Sequence, residues 1–212
     1  VMPAIFRVLL FAIIAVFFPL SSVLAAHHAH KEPHTQVAIL MFDGVQIIDF
    51  AGPYEVFGHA GFGVVTVSED GKAVTTAMGL KTVPDHSFAD VPEFDVLLVP
   101  GGNTYDASHD DDVLAFINSH METVDQVLSV CTGSYILAES GILNGLEATT
   151  FHRALPGFKS DYPKINVVDG VRWTDDGKVI TSAGLSSGID AALHLVAKVQ
   201  GVNQARSVAL HM

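Results

Sequence analysis

The chain carries little charge, and little of that charge is positive. Only 16% of its 212 residues are Asp, Glu, Lys or Arg, and 11 basic residues stand against 23 acidic ones. Domains that bind nucleic acid present basic patches or stripes to the phosphate backbone, and no such cluster occurs in this sequence. The composition therefore argues against nucleic acid as a partner.

The chain also has only one cysteine, Cys131. A single cysteine excludes an internal disulfide, so a fold held together by disulfides is not expected. In an exported protein a free thiol is a liability unless it is buried or used. Two interpretations are open: Cys131 is a small apolar core residue, or it is a reactive group.

The longest apolar run lies at the N-terminus. Arg7 precedes an apolar stretch over residues 8–20, and Val23-Leu24-Ala25 fits a small-x-small cleavage site. The stretch is shorter than the roughly 20 residues that a membrane-spanning helix needs. We expect residues 1–25 to be a cleaved signal peptide. This predicts a periplasmic or secreted protein with no stable membrane span after cleavage.

Residues 26–35, which follow the predicted signal peptide, are polar and rich in histidine. We predict a flexible leader with solvated histidines. A second interpretation stays open, because cleavage after Ala25 would place His28 third in the mature chain. There it could bind copper or nickel together with the terminal amine. The folded domain is predicted over residues 36–212, which is long enough to bury a full core.

From Gln36 onward, strand and helix patterns alternate. Short apolar runs typical of buried strands occur at 37–41, 64–67, 96–99 and 126–130. Further strand-like segments occur at 146–150, 167–171, 172–174 and 178–181. Helical patterns occur at 52–60, 112–122, 133–140, 153–161, 187–200 and 203–212. Residues 74–83 are predicted to form a hairpin or excursion. This alternation predicts an α/β fold with a mostly parallel sheet covered by helices on both faces.

Cys131 lies where such a fold displays a nucleophile. The segment Ser129-Val130-Cys131-Thr132-Gly133 joins a predicted strand to a predicted helix, with small residues on both sides of the cysteine. This is the cysteine counterpart of the hydrolase nucleophile elbow. Free N–H groups at the start of the helix are expected to lower the thiol pKa and favour the thiolate.

Other polar groups fall in loops at the carboxyl ends of strands, where doubly wound sheets bind their ligands. Asp49 lies among apolar neighbours, which should raise its pKa and suit it to relay a proton to the thiol. The more polar Asp43 and the later Glu55 fall in the same region. His152 follows another strand-like segment and is a candidate partner for the thiol.

The loop after the strand at 96–99 contains Gly101-Gly102. Glycine allows a substrate to approach the backbone closely. We therefore predict that the N–H groups of Gly102 and Thr132 form an oxyanion hole.

Five segments taken in order carry a family resemblance: Asp49-Phe50-Ala51-Gly52-Pro53-Tyr54-Glu55-Val56-Phe57, Val99-Pro100-Gly101-Gly102, Cys131-Thr132-Gly133-Ser134, Ala148-Thr149-Thr150 and Ala183-Gly184-Leu185-Ser186-Ser187-Gly188-Ile189-Asp190. In these segments the chain resembles the ThiJ/PfpI family of the class I glutamine amidotransferase-like superfamily. Isonitrile hydratases and the sensor domains of AraC-type regulators are the most similar groups. The resemblance covers residues 36–212.

The resemblance implies a flavodoxin-like three-layer sandwich, commonly a homodimer, acting on a small molecule with no metal or organic cofactor. It assigns Cys131 as the nucleophile, Asp49 as the acid hydrogen-bonded to it, and Thr132 as a substrate-binding residue. One departure matters: relatives often carry a histidine directly after Ala-Thr-Thr, where this chain has Phe151. A shift of one residue turns the side chain at 152 to the opposite face of an extended segment, so we expect a pair of Cys131 with Asp49.

The predicted function is that of a cysteine-dependent hydratase or hydrolase of small molecules, similar to isonitrile hydratase. Two alternatives stay open. One is another enzyme of this fold, with glyoxalase, deglycase or peptidase activity. The other is a non-catalytic module that senses a ligand or the oxidation of Cys131.

Overall fold

The computed structural model describes residues 35–212. The predicted signal peptide and all but the last residue of the histidine-rich leader lie outside the described residues. Within residues 35–212, no helix combines the length and the apolar character needed to cross a membrane.

The centre of the fold is a seven-stranded sheet. The strands of the described chain are β1 (Gln36–Leu40), β2 (Gly63–Ser68), β3 (Val74–Thr75), β4 (Lys81–Thr82), β5 (His86–Ser87), β6 (Val96–Val99), β7 (Gln126–Val130), β8 (Glu147–Ala148), β9 (Asn166–Val167), β10 (Trp173–Asp176) and β11 (Val179–Ser182). The central sheet has the order β10-β11-β7-β6-β1-β2-β5. All its pairings are parallel except that of β10 with β11, as the alternating pattern predicted.

Two groups of helices cover the sheet. The helices are α1 (Ile47–His59), α2 (Tyr105–Ser108), α3 (Asp111–His120), α4 (Gly133–Glu139), α5 (Leu155–Asp161), α6 (Ser186–Gln200) and α7 (Val202–His211). Helices α1, α6 and α7 contact one another, and α2 contacts both α3 and α4. The predicted three-layer α/β sandwich is confirmed.

The inner strands are mostly apolar because both of their faces are covered. All four residues of β6 are buried, as are the last four residues of β1 and of β7. Continuous apolar runs of this kind are typical of parallel strands between two helical layers. The carboxyl ends of β1, β6 and β7 therefore lie side by side at one edge of a rigid core, and the loops that follow them form the site.

Several predicted boundaries were wrong. The first helix begins at Ile47 and not near residue 52, so it continues through Pro53. Proline favours the first turn of a helix, but Pro53 lies in the interior of α1. Long-range contacts override that rule here, because the Gln46 N–H donates to the Gly101 carbonyl at 2.8 Å and fixes the earlier start. Asp49 is consequently a first-turn helical residue and not a loop residue.

Other differences are smaller. The strand predicted at 146–150 is limited to β8, and the one predicted at 167–171 is limited to β9; these two pair with each other outside the central sheet. Helix α2 was not predicted. The excursion predicted at 74–83 is confirmed as the antiparallel pair β3–β4.

Two glycines in helices provide a matched test of the packing at the elbow. A Cβ on Gly133 would lie 2.1 Å from the Val99 carbonyl oxygen, whereas a Cβ on Gly58 would meet nothing within 4 Å. We expect Gly133→Ala to lower the free energy of unfolding by about 2 kcal/mol or more, because backbone must move.

The control substitution, Gly58→Ala, is expected to raise the free energy of unfolding by roughly 0.5–1 kcal/mol through helix propensity. Urea denaturation of the three proteins measures both effects. Equal stabilities for the two variants would contradict the close approach of α4 to β6.

Candidate active site

Cys131 occupies a strained position between β7 and α4. Its φ is +57°, in the left-handed region that residues other than glycine rarely adopt. Its side chain is 7% exposed. The strain is typical of a nucleophile elbow, in which the turn directs the side chain away from the strand. The predicted strand-to-helix turn at Cys131 is confirmed.

The backbone of Cys131 is held from three sides. Its N–H donates to the Ser182 carbonyl at 3.1 Å. Its carbonyl accepts hydrogen bonds from the hydroxyls of Ser134, at 3.1 Å, and Thr150, at 2.9 Å. These bonds come from β11, α4 and the segment after β8, so three parts of the chain together stabilise a conformation that the isolated turn would not keep.

Glycines let neighbouring loops approach the elbow. A Cβ on Gly101 would lie 2.6 Å from the Thr132 nitrogen and 2.8 Å from the Cys131 Cβ. A Cβ on Gly184 would lie 3.4 Å from the Cys131 sulfur and 2.5 Å from the Phe151 ring. The thiol therefore lies between two glycine-containing loops, and Phe151 packs against the second of them.

Asp49 is fully buried in the first turn of α1. Its Oδ2 accepts a hydrogen bond from the Gly101 N–H at 3.2 Å. Its Oδ1 has no partner at strict hydrogen-bond geometry among the described residues. Burial raises the pKa of Asp49 to about 6, although the Cys131 thiol and the N–H groups of Gly101 and Leu185 lower it in part. The carboxyl group is therefore poised to gain or lose a proton near neutral pH.

The prediction of a lowered thiol pKa was wrong. Burial raises the pKa of Cys131 to about 12, and the negative charge of Asp49 adds to the effect, while the N–H and the side chain of Thr132 oppose it. Two anions this close are disfavoured, so the pair holds one negative charge. In the resting protein above pH 6 that charge lies on Asp49, and Cys131 is a neutral thiol.

The predicted oxyanion hole is only partly available. The Gly102 N–H donates to the Thr132 hydroxyl at 2.9 Å, and that hydroxyl lies 3.0 Å from the Gly102 carbonyl, to which it donates. The Gly102 amide is therefore already used to hold Thr132. The Thr132 N–H interacts with the Cys131 sulfur, which makes it the amide closest to the position where a reacting atom would bind.

Other predicted groups do not join Cys131. The Glu55 carboxylate is exposed and pairs with His59 at 3.3 Å, one helical turn away. His152 is exposed, and its ring contacts the neighbouring Phe151 edge-on. The Asp43 carboxylate accepts the Thr75 N–H at 2.6 Å and anchors the β3–β4 hairpin. The site therefore contains Cys131, Asp49 and Thr132, and the Phe151 ring lies beside it against Gly184.

A cleft of about 470 Å³ begins at Thr132. Its lining residues come from α2, α4, α5 and the segments next to them: Thr104, Tyr105, Ser108, His109, Thr132, Tyr135, Glu139, Ala154, Asp161 and Tyr162. Sequence reasoning missed this cleft. Its one visible signal is the spacing of Thr132, Tyr135 and Glu139, which places them on one face of α4. Among residues 35–212, no group of three or more His, Cys, Asp or Glu side chains is arranged to hold a metal ion.

A flavodoxin-like sandwich with a cysteine on a strained elbow and a buried carboxyl group beside it defines a class of cysteine-centred α/β domains. Residues 35–198 match the DJ-1/PfpI family, and the chain belongs to that family. The resemblance predicted from the motifs is thereby confirmed.

Three relatives describe the range of the family. The chain is 37% identical to an isonitrile hydratase of Pseudomonas putida, over 84% of this chain and 77% of the relative. It is 32% identical to a ThiJ/PfpI family protein of Pseudomonas syringae of known structure, with a TM-score of 0.74 over 84% of this chain and 74% of the other. It is 25% identical to the transcriptional regulator GbdR of Pseudomonas aeruginosa, over 78% of this chain and 47% of the regulator. The family thus includes both enzymes and regulators.

The buried carboxyl group predicts a pH dependence of stability. Because folding raises the pKa of Asp49 from 3.8 to about 6, the folded state binds more protons than the unfolded state between these values. The free energy of unfolding of the natural protein therefore falls, through this group, as pH rises from 4 to 6. Asp49→Asn removes this loss, so its stability relative to the natural protein should increase by about 1–3 kcal/mol across the same window.

Urea denaturation at a series of pH values measures this difference. Glu122→Gln, at an exposed position after α3, is the matched control and should show no such increase. A relative stability of Asp49→Asn that stays constant from pH 4 to 7 would show that Asp49 is not desolvated in the folded protein.

Proposed function

We propose that this protein is a cysteine-dependent hydratase that converts small isonitriles to N-substituted formamides. The observation that carries the proposal is a fully buried Asp49, with its pKa raised to about 6, interacting with the thiol of Cys131 on a strained elbow. The 37% identity to an isonitrile hydratase over most of both chains supports this choice of substrate. The chemistry needs one nucleophile and one acid–base group.

The first step forms a covalent intermediate. The Asp49 carboxylate takes the proton of the Cys131 thiol as the sulfur attacks the terminal carbon of R–N≡C. A carbon–sulfur bond forms, and the electron pair left on that carbon accepts the proton from Asp49. The product is the thioformimidate R–N=CH–S–Cys131, and Asp49 is ionised again. Because the pair holds a single negative charge throughout, the proton transfer creates no second buried anion.

The second step releases the product. Asp49 takes a proton from a water molecule as the water oxygen adds to the carbon of the C=N bond, and it then passes that proton to the nitrogen and is ionised again. The tetrahedral adduct R–NH–CH(OH)–S–Cys131 then collapses. The carbon–sulfur bond breaks, the hydroxyl proton is lost through Asp49, and the sulfur regains its proton. The net reaction adds one water to R–N≡C and gives R–NH–CHO.

The Thr132 group assists the sulfur during this cycle. Its N–H already interacts with the Cys131 sulfur and lowers the thiol pKa. Its hydroxyl accepts from the Gly102 N–H, so its own proton is free to turn from the Gly102 carbonyl to developing charge at the sulfur. A peptidase reaction is less suited to this site, since Phe151 and not a histidine lies next to the Gly184 loop.

The protein is also proposed to act as a homodimer. Large apolar side chains are exposed on α1 and on the neighbouring β3–β4 hairpin, with Tyr54 40%, Met78 70% and Val83 68% exposed. Tyr54 and Val83 line one shallow cleft together, so the two elements form a continuous surface. Neighbouring exposed apolar side chains of this kind are typical of subunit contacts.

Light scattering of the purified protein tests the dimer. Twice the chain mass is expected, and the double variant Met78→Glu with Val83→Glu should have the mass of a single chain. Leu210→Glu, at an 89% exposed position on α7, is the control and should leave the dimer intact. A single-chain mass for the natural protein would reject the homodimer.

Incubation with cyclohexyl isocyanide, followed by mass spectrometry of the formamide, tests the activity. The rate constant kcat/KM should rise with pH through about 6 as Asp49 ionises, and then level off. Cys131→Ala should abolish turnover. Asp49→Asn should lower kcat by about 10²–10⁴-fold, because an amide can neither accept nor return the proton.

Glu55→Gln is the control variant, since Glu55 is exposed and pairs with His59, and its activity should match that of the natural protein. Turnover that persists unchanged in Cys131→Ala would reject the mechanism. Lactate formation from methylglyoxal in place of isonitrile turnover would favour a glyoxalase activity. A stable mass increase at Cys131 after mild peroxide, without any turnover, would favour a sensor.

A further inference from the structure

The cleft at Thr132 has a direction. One face of α4 carries Tyr135 and Glu139, and Thr132, the residue just before the helix, continues that face. The spacings between them are three and four residues. At 1.5 Å per residue, the line from Thr132 to Glu139 is roughly 10 Å long. The end of the cleft at Thr132 adjoins Cys131, because the Thr132 N–H interacts with the Cys131 sulfur, and the other end is lined by side chains of α4 and α5. A substrate bound to the sulfur would therefore extend along α4.

The outer end of the cleft combines aromatic rings with carboxylates. The Tyr162 hydroxyl donates to Glu139 Oε1 at 2.6 Å. The rings of Tyr135 and Tyr162 meet edge to face, with centroids 5.7 Å apart. Tyr105, on α2, also lines the cleft, and its ring stacks on His109. Aromatic faces and carboxylates both attract ammonium ions.

Negative potential reaches into the cleft. Burial and the charge of Asp161 both raise the pKa of Tyr135. Burial, the hydrogen bond to Glu139 and the charges of Glu139 and Asp161 raise the pKa of Tyr162. Among the lining residues, all of which belong to the described part of the chain, none is lysine or arginine. The two carboxylates are therefore not neutralised by a basic residue in the cleft itself.

His109 is the one lining residue able to carry a positive charge. Its Nδ1 lies 2.8 Å from the Tyr105 carbonyl oxygen and 3.0 Å from the Ser108 hydroxyl. These contacts hold the imidazole at the end of α2, on a different element from Glu139 and Asp161.

From this arrangement we infer that the substrate of this protein carries a cationic group, such as a quaternary or protonated amine, roughly 10 Å from its reactive carbon. The cation binds between Tyr135, Tyr162 and the carboxylates of Glu139 and Asp161, while the reactive carbon lies at Cys131. The part of this inference that concerns the reaction at Cys131 rests on the proposed function. The binding of a cation in the cleft does not depend on that reaction. The overall excess of 23 acidic over 11 basic residues acts in the same sense, by attracting cations to the surface.

A pair of matched substrates tests the inference at pH 8. The charged one is 6-(trimethylammonio)hexyl isocyanide, and the uncharged one is its carbon isostere, 7,7-dimethyloctyl isocyanide. The natural protein should have a kcat/KM about tenfold or more higher for the charged substrate. Glu139→Gln and Asp161→Asn, which keep the shape of the side chains, should each lower kcat/KM for the charged substrate about three- to tenfold. Neither change should lower kcat/KM for the uncharged isostere by as much, so the preference for the charged substrate should fall.

Glu93→Gln provides the charge control. Glu93 lines a separate cleft next to Asp95, so its removal changes the net charge equally without touching the α4 cleft, and the preference should persist. If Glu93→Gln lowered the preference for the charged substrate as much as Glu139→Gln or Asp161→Asn does, the preference would come from the overall charge of the protein and the inference would fail. Equal kcat/KM values of the natural protein for the two substrates would overturn the inference.

A binding measurement separates this inference from the proposed reaction. Calorimetric titration of the Cys131→Ala variant with hexyltrimethylammonium, which has no isonitrile group, should show binding that the additional change Glu139→Gln or Asp161→Asn weakens. Binding without turnover of either isonitrile would reject the proposed reaction and keep the cationic cleft. Turnover of the uncharged isonitrile, without binding of the ammonium ion, would keep the reaction and reject the cleft.

Discussion

One negative charge shared by a buried acid and a buried thiol governs the site. Asp49 is fully buried, and Cys131 is nearly so. Charging either group in this environment is costly, and charging both at once is more so. The three amides that interact with the pair, those of Gly101, Thr132 and Leu185, are enough to stabilise one anion. The chemistry available to the protein is therefore proton exchange inside the pair, which moves the charge without adding to it.

The rest of the fold keeps this pair at a fixed geometry. The acid is on α1, the thiol and the Thr132 amide are on the turn after β7, and the Gly101 and Leu185 amides belong to the loops after β6 and β11. These four segments lie far apart from one another in the sequence. They meet because β1, β6, β7 and β11 are neighbours in one sheet, so that parallel strands end at the same edge. The left-handed backbone of both Cys131 and Leu185 is the conformational cost of bringing them together.

Much of this was predictable from the sequence, and the failures have physical causes. The alternation of patterns predicted the sheet and its two covering layers, because helix and strand periodicities are local. The apolar neighbours of Asp49 predicted its raised pKa. The predicted direction of the thiol pKa shift was wrong because the pattern at 129–133 shows the start of the helix but shows neither the burial of the thiol nor the nearby charge of Asp49. The prediction that the Gly102 amide belongs to an oxyanion hole failed for a related reason, since its partner, the Thr132 hydroxyl, is thirty residues away in the sequence. The cleft was missed because its walls come from three helices, and only the α4 wall leaves a pattern in one segment.

The loop after β6 has a property that limits how relatives of this protein can vary. Its successive amides serve different side chains, with Gly101 donating to Asp49 and Gly102 donating to Thr132. Inserting or deleting one residue in this loop would shift both N–H donors along the chain. Asp49 and Thr132 would then each face the wrong amide or no amide. The segment between β9 and β10 has no such constraint at Gly170, where a side chain would meet nothing within 4 Å. Length differences between homologues should accumulate in that segment, while the loop that begins at Pro100 keeps a constant number of residues.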